Sequence, residues 1–201
     1  MNIAVFASHG GSDLQAIIDG CKNNRINANV EVVISNNGSS MALQRAENEN
    51  IPAYHLSAKK SGNEDLLAEE ILDVLSEYDI DMIFLAGYMR MLHVSILEKY
   101  NNRIFNIHPA LLPKFGGRGM YGMNVHTAII EAKENETGVT IHRVSAEYDC
   151  GEIVAQTKVP VLENDTPEIL AARGRRDSFS QSNPSSAINS QSVCPGSAVI
   201  A

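Results

Sequence analysis

The chain has 201 residues, 44% of them hydrophobic, enough for one sizeable core or a single domain with an appendage. Sixteen basic residues against 24 acidic ones leave a formal net charge of −8, which argues against a general nucleic-acid or anionic-membrane binder. The longest nearly apolar run, Met82–Met89, is too short to span a bilayer. Cys21, Cys150 and Cys194 share no metal-ligand spacing and cannot all pair, so neither a metal site nor a disulfide framework is expected and a reducing cytoplasm fits. The opening Met1-Asn2 leads directly into the strand-like IAVFA, without the pattern of a secretory leader.

Ile3–Ala7 reads as a buried strand and Leu14–Asn23 as the helix after it. Val30–Ser35 and Met41–Asn50 form the next strand–helix pair, and Ala53–Leu56 is a short third strand behind the Ile51-Pro52 break. Between Asn63 and Tyr78, Leu66, Leu67, Ile71, Leu72 and Leu75 fall at helical spacing. Met82–Ala86 and Arg103–Ile107 are two more apolar strands, with a short helix near Val94–Tyr100 between them. Such alternation predicts an α/β fold, a parallel sheet with helices on both faces, and ligands bound beyond the carboxyl ends of the strands.

After Pro109 the texture changes. Residues 114–122 carry four glycines in nine positions and read as a long mobile loop. Ala128–Lys133 reads as a helix, and Gly138–Val144 and Ile153–Val161 as strands around a turn containing Asp149, Cys150, Gly151 and Glu152. Asp165 or Thr166 is the expected N-cap of a helix over Glu168–Arg173, with Pro167 in its first turn. Residues 174–201 hold eight Ser, no Leu and no Glu, and no period survives there. The chain is therefore divided into a domain over 1–173 and an atypical Ser-rich tail over 174–201, expected to be disordered. So abrupt a change also fits a reading-frame shift near Arg173, which sequencing of the coding DNA tests.

Three constellations can carry chemistry. Ser8-His9-Gly10-Gly11-Ser12-Asp13 lies between a strand and a helix, where free N–H groups attract phosphate; it reads equally as a plain turn capped by Ser12 or Asp13. Asn106 and His108 sit two apart at a strand end stopped by Pro109 and so share a face. An amide donor beside an imidazole can receive negative charge on a carbonyl oxygen and exchange a proton, although a local hydrogen-bonding role is also open. Asp149 can pair with His108, or belong to an ordinary acidic turn. His126 and His142 read as satisfied core or supporting groups, and no residue stands out as a nucleophile.

In this order and spacing the strings MNIAVFASHGGSDLQAII, FLAGYMRML, FNIHPALLPKFGGRGMYGMNVHTAI, TGVTIHRVSAEYDCGEIV and QTKVP resemble the phosphoribosylglycinamide formyltransferase (GAR transformylase) family of folate-dependent formyltransferases. The likeness covers roughly residues 1–173. The implied fold is a Rossmann-like, mostly parallel sheet flanked by helices, with an antiparallel pair of strands near the C-terminal side. The implied reaction moves a formyl group from 10-formyltetrahydrofolate, as co-substrate and without a metal, to the amine of glycinamide ribonucleotide in purine biosynthesis. The amine attacks the formyl carbon directly and a tetrahedral intermediate forms. The family's catalytic Asn, His and Asp match Asn106, His108 and Asp149; Asn106 and protonated His108 stabilise the oxyanion, and Asp149 keeps His108 charged and helps move the proton.

The resemblance also implies a substrate phosphate at Gly11, Ser12 and Asp13. Folate falls to Met89, Arg90, Met91 and Leu92 with Leu85, Leu97, Ile104 and Asn106, beneath a loop over 116–122. Small-molecule partners, a cytoplasmic location, and a monomer or weak homodimer follow from it as well. The chain departs from the family pattern at Asp13, usually Asn. It departs again at Ser61-Gly62-Asn63-Glu64-Asp65, which lacks a basic residue common there, and after Arg173, where Gly174 is expected to interrupt the last helix. Two alternatives remain open: a formyltetrahydrofolate hydrolase, and a non-catalytic folate- or nucleotide-binding remnant.

Overall fold

Runs of Val and Ile form strands here because β-branched side chains fill a pleated surface that is buried on both faces. A computed structural model of the chain describes residues 1–180. It resolves into two units, Met1–Phe105 and Asn106 onward. In the first, β1 (Asn2–Phe6), β2 (Asn29–Ser35), β3 (Ala53–His55) and β4 (Met82–Leu85) pair in parallel in the order β3-β2-β1-β4. The central position of β1 sets its register, with Val5 opposite Val33 on one side and Phe84 on the other.

The helices of this unit are α1 (Ser12–Lys22), α2 (Met41–Asn48), α3 (Ala58–Ser61), α4 (Glu64–Glu77) and α5 (Val94–Lys99). Each longer helix turns an apolar stripe inward: Leu14, Ile17 and Ile18 on α1, and Leu67, Ala68, Ile71, Val74 and Leu75 on α4. Burying each such Leu or Ile contributes about 1.5–3 kcal/mol. The start of α4 is fixed by Asn63, whose side chain accepts the Leu66 N–H at 2.8 Å. The expected capping of α1 by Ser12 or Asp13 is not what forms. Gly11 is its N-cap at φ 65, with no side-chain cap bond, and Ser12 and Asp13 are already helical. Glycine is required at this cap because a Cβ there would lie 2.8 Å from the Ala42 Cα.

β5 (Ile104–His108) leads into the second unit, which holds α6 (Met123–Glu131), β6 (Glu136–Arg143), β7 (Ile153–Pro160) and α7 (Pro167–Ser180). β6 and β7 are antiparallel, with Thr140 opposite Gln156, and the full sheet order is β3-β2-β1-β4-β5-β6-β7. The mostly parallel sheet with an antiparallel pair on the C-terminal side is the fold expected from the sequence. α6 starts at Met123, earlier than the expected Ala128, because it buries Val125 and Ile129 one turn apart against Leu170 of α7. α7 opens with the Thr166 hydroxyl accepting the Ile169 N–H at 3.4 Å, while Asp165 grips Arg173 instead. The helix runs through Gly174 to Ser180, so the expected interruption at Gly174 does not occur. The expected disorder of the tail falls, beyond Ser180, outside the described residues. Among the described residues no helix is long and apolar enough to cross a membrane.

Candidate active site

β5 ends at His108, just before Pro109, and its last residues place Asn106 and His108 next to a buried carboxylate. His108 is 3% exposed and Asp149 9%. Nδ1 of His108 lies 3.6 Å from Asp149 Oδ1, and its Nε2 is 2.8 Å from the Phe115 carbonyl oxygen. A carbonyl only accepts, so Nε2 carries a proton, and Nδ1 is the nitrogen turned toward Asp149. Asp149 Oδ2 accepts the Gly117 N–H at 2.9 Å. Two non-glycine residues here adopt left-handed backbone, Phe115 at φ 56 and Asp149 at φ 54, and both touch His108. Such conformations persist where the surroundings over-determine them, as at a site whose groups must be aimed.

A fourth residue closes the cluster. His142, on β6 and 2% exposed, donates from Nδ1 to the Arg143 carbonyl at 2.9 Å. Its Nε2 lies 3.0 Å from the Asn106 amide nitrogen. The same amide nitrogen is 3.4 Å from Asp149 Oδ1, which is itself 3.4 Å from His142 Nε2. The Asn106 amide thus faces both His142 and Asp149.

Burial pushes the His108 imidazole below its ordinary 6.5, and the Asp149 charge and the Phe115 carbonyl offset this only in part. Burial thus works against the charged His108 that the resemblance implies, and at 3.6 Å the carboxylate is too far for a full hydrogen bond. For Asp149 burial acts upward, but the His142 contact, the nearby His108 and the Gly117 N–H outweigh it and hold the carboxyl below its ordinary 3.8.

The first unit carries the other expected positions. Gly11 is buried, Ser12 exposed and Asp13 half-buried in the first turn of α1, where the helix dipole favours a carboxylate. Arg45 of α2 reaches this turn, its Nε donating to the Gly10 carbonyl at 2.9 Å and Nη1 to Gln15 at 3.2 Å. The expected folate set divides. Arg90, Met91 and Leu92 line a cavity of about 280 Å³ whose floor is Leu67, Ala68, Ile71 and Ile96. Leu85 and Ile104 are instead packed in the core, Leu97 and Met89 are half-buried, and none of the four lines that cavity. Arg90 pairs with Glu64 at 2.6 Å. Among the described residues there is no cluster of three or more His, Cys, Asp or Glu able to hold a metal ion.

Residues 1–180 match the family model described as formyl transferase. The chain belongs to the formyl transferase family. It is 42% identical over 172 residues to the chloroplastic phosphoribosylglycinamide formyltransferase of Arabidopsis thaliana, covering 85% of this chain and 59% of that protein. It is 37% identical over 173 residues to the phosphoribosylglycinamide formyltransferase of Escherichia coli K12, covering 86% and 79%. The crystal structure of glycinamide ribonucleotide transformylase 1 from Symbiobacterium toebii aligns at a TM-score of 0.82 and 36% identity, over 89% of this chain and 82% of that one. The chain thus spans about three fifths of the length of the plant relative.

In this formyl transferase chain Asn106, His108 and Asp149 stand out in the sequence and His142 reads there only as a core or supporting group, while Phe115 and Arg45 carry no motif. His142 had a signal, two residues after Thr140 on a strand beside the Asp149 turn. Phe115 and Gly117 act through backbone atoms, which side-chain motifs do not reveal.

Proposed function

We propose that the chain transfers a formyl group from 10-formyltetrahydrofolate to the amine of glycinamide ribonucleotide, as a cytoplasmic enzyme with these two small-molecule partners. The observation that carries this is the buried Asn106–His108–His142–Asp149 cluster at the end of β5 in a chain of the formyl transferase family. The formyl donor supplies an electrophilic carbon; the chain supplies donors, a base and orientation. The Asn106 amide meets negative charge developing on the formyl oxygen, a contribution of about 3–4 kcal/mol for a well-aimed donor. His108, its Nε2–H tied to Phe115, offers the bare Nδ1 to the proton leaving the attacking amine. Asp149 then stabilises the imidazolium so formed and helps return the proton to the departing folate nitrogen.

Residue roles outside the cluster are proposed in the same way. Gly11, Ser12 and Asp13, with Arg45 beside them, meet the ribonucleotide phosphate. Arg90, Met91 and Leu92 offer a mixed polar and apolar wall to folate, and Met89 the adjoining backbone. Residues 1–173 form the catalytic portion. Incubating the protein with 10-formyltetrahydrofolate, with and without glycinamide ribonucleotide, tests the reading. Donor loss that requires the amine supports it. Loss without the amine supports hydrolysis, and folate binding with no loss supports a non-catalytic remnant.

A further inference from the structure

Ser8, separated from the end of β1 by Ala7 alone, is 1% exposed and commits all four of its polar groups to other strand exits. Its N–H donates to the Gly87 carbonyl at 3.1 Å, just past β4. Its hydroxyl donates to Asn36 Oδ1 at 2.6 Å, just past β2, and the same oxygen accepts the Met89 N–H at 2.8 Å. Its carbonyl accepts from Asn37 Nδ2 at 3.1 Å. Two bonds thus join Ser8 to a three-residue step that bends at Gly87, φ 73. One of them runs through the side chain, and only a group that both donates and accepts can serve Asn36 and Met89 together.

We propose that Ser8 is a positioning residue that clamps the Met89–Leu92 segment to the 9–13 turn and so sets the folate-binding form of that segment. This rests on the formyl-transfer reading above. The backbone ladders of β1 with β2 and β4 do not involve the hydroxyl, so its removal acts on the segment after Gly87 and leaves the sheet intact. The turn is pinned from its other side too, by Ser40 Oγ and the Ala42 N–H on the His9 carbonyl and by Arg45 on the Gly10 carbonyl. The clamp therefore works against a fixed anchor.

The test is Ser8→Ala in the full chain, read by steady-state kinetics and by amide hydrogen exchange. The expected result is a KM for 10-formyltetrahydrofolate raised about tenfold, with kcat within about twofold of the parent. Exchange at Met89 quickens at least about tenfold, while Val5 and Val33 exchange as before. An unchanged KM with Met89 still protected overturns the proposal, as does a variant in which Val5 and Val33 loosen as much as Met89. If the parent protein transfers no formyl group, the reaction reading fails while Met89 exchange still decides the clamp. Should Ser8→Ala not fold, Ser8→Cys keeps a weak donor and acceptor in place and must give the same pattern with smaller changes.

Discussion

His142 decides what Asn106 can do. Nδ1 of His142 meets the Arg143 carbonyl at 2.9 Å, and its Nε2 holds the Asn106 amide at 3.0 Å. His142→Ala removes one of that amide's two partners, and kcat is expected to fall about 10–100-fold with little change in KM, measured by steady-state kinetics. The titrating groups give a second prediction at this scale. His108 is held below 6.5 in the folded protein, so between its folded value and 6.5 the unfolded chain binds more protons, and stability falls as pH drops through that window. Asp149, held below 3.8, stabilises the fold fully above 3.8 and loses that contribution as pH falls through its own lower value. Thermal melts across pH should therefore be flat near neutrality and decline from about pH 6.5, and His108→Gln should remove this first decline.

At the scale of elements, the turn between β6 and β7 sets the site. A Cβ on Gly151 would lie 1.6 Å from the Arg143 carbonyl oxygen, the atom that orients His142. Gly151→Ala must displace backbone, and it should cost roughly 1–3 kcal/mol by denaturant unfolding and lower turnover as well. α7 gives the opposite case: Gly174 lies inside the helix, and a Cβ there meets nothing within 4 Å. Gly174→Ala should raise stability by about 0.5–1 kcal/mol, read from the melting temperature. These two glycines also mark where sequence reading succeeds and fails. Strands such as β1 and β4 were legible because burial on both faces demands an unbroken apolar run. Asn106 and His108 were legible because period two and Pro109 fix their face and their edge. The start of α6 was hidden by the glycines before it, and the continuation of α7 by Gly174, since tertiary packing of Val125, Ile129 and Leu170 outweighs local propensity. The downward push on His108 was hidden too, because it depends on a depth of burial that no motif states.

In the first unit the parallel strands bring Ser8 after β1, Asn36 after β2 and Gly87 after β4 to one carboxyl edge, and in the second His108 ends β5. The antiparallel β6–β7 pair adds His142 and the Asp149 turn, and its Thr140 and Gln156 steady the segment that leads to Phe115. Thr140 Oγ1 donates to the Ala110 carbonyl at 2.6 Å and accepts from Leu112 N–H at 3.1 Å, while Gln156 donates to the Leu112 carbonyl at 3.0 Å. The central claim is that His108 and Asp149 handle one proton as a unit. The most direct measurement is the single-turnover rate of formyl transfer for the parent, His108→Ala, Asp149→Asn and the double variant. Each single change is expected to slow transfer at least about 100-fold, with the double variant no slower than the worse single one. A single variant with a near-parental rate, or losses that multiply in the double variant, would contradict it.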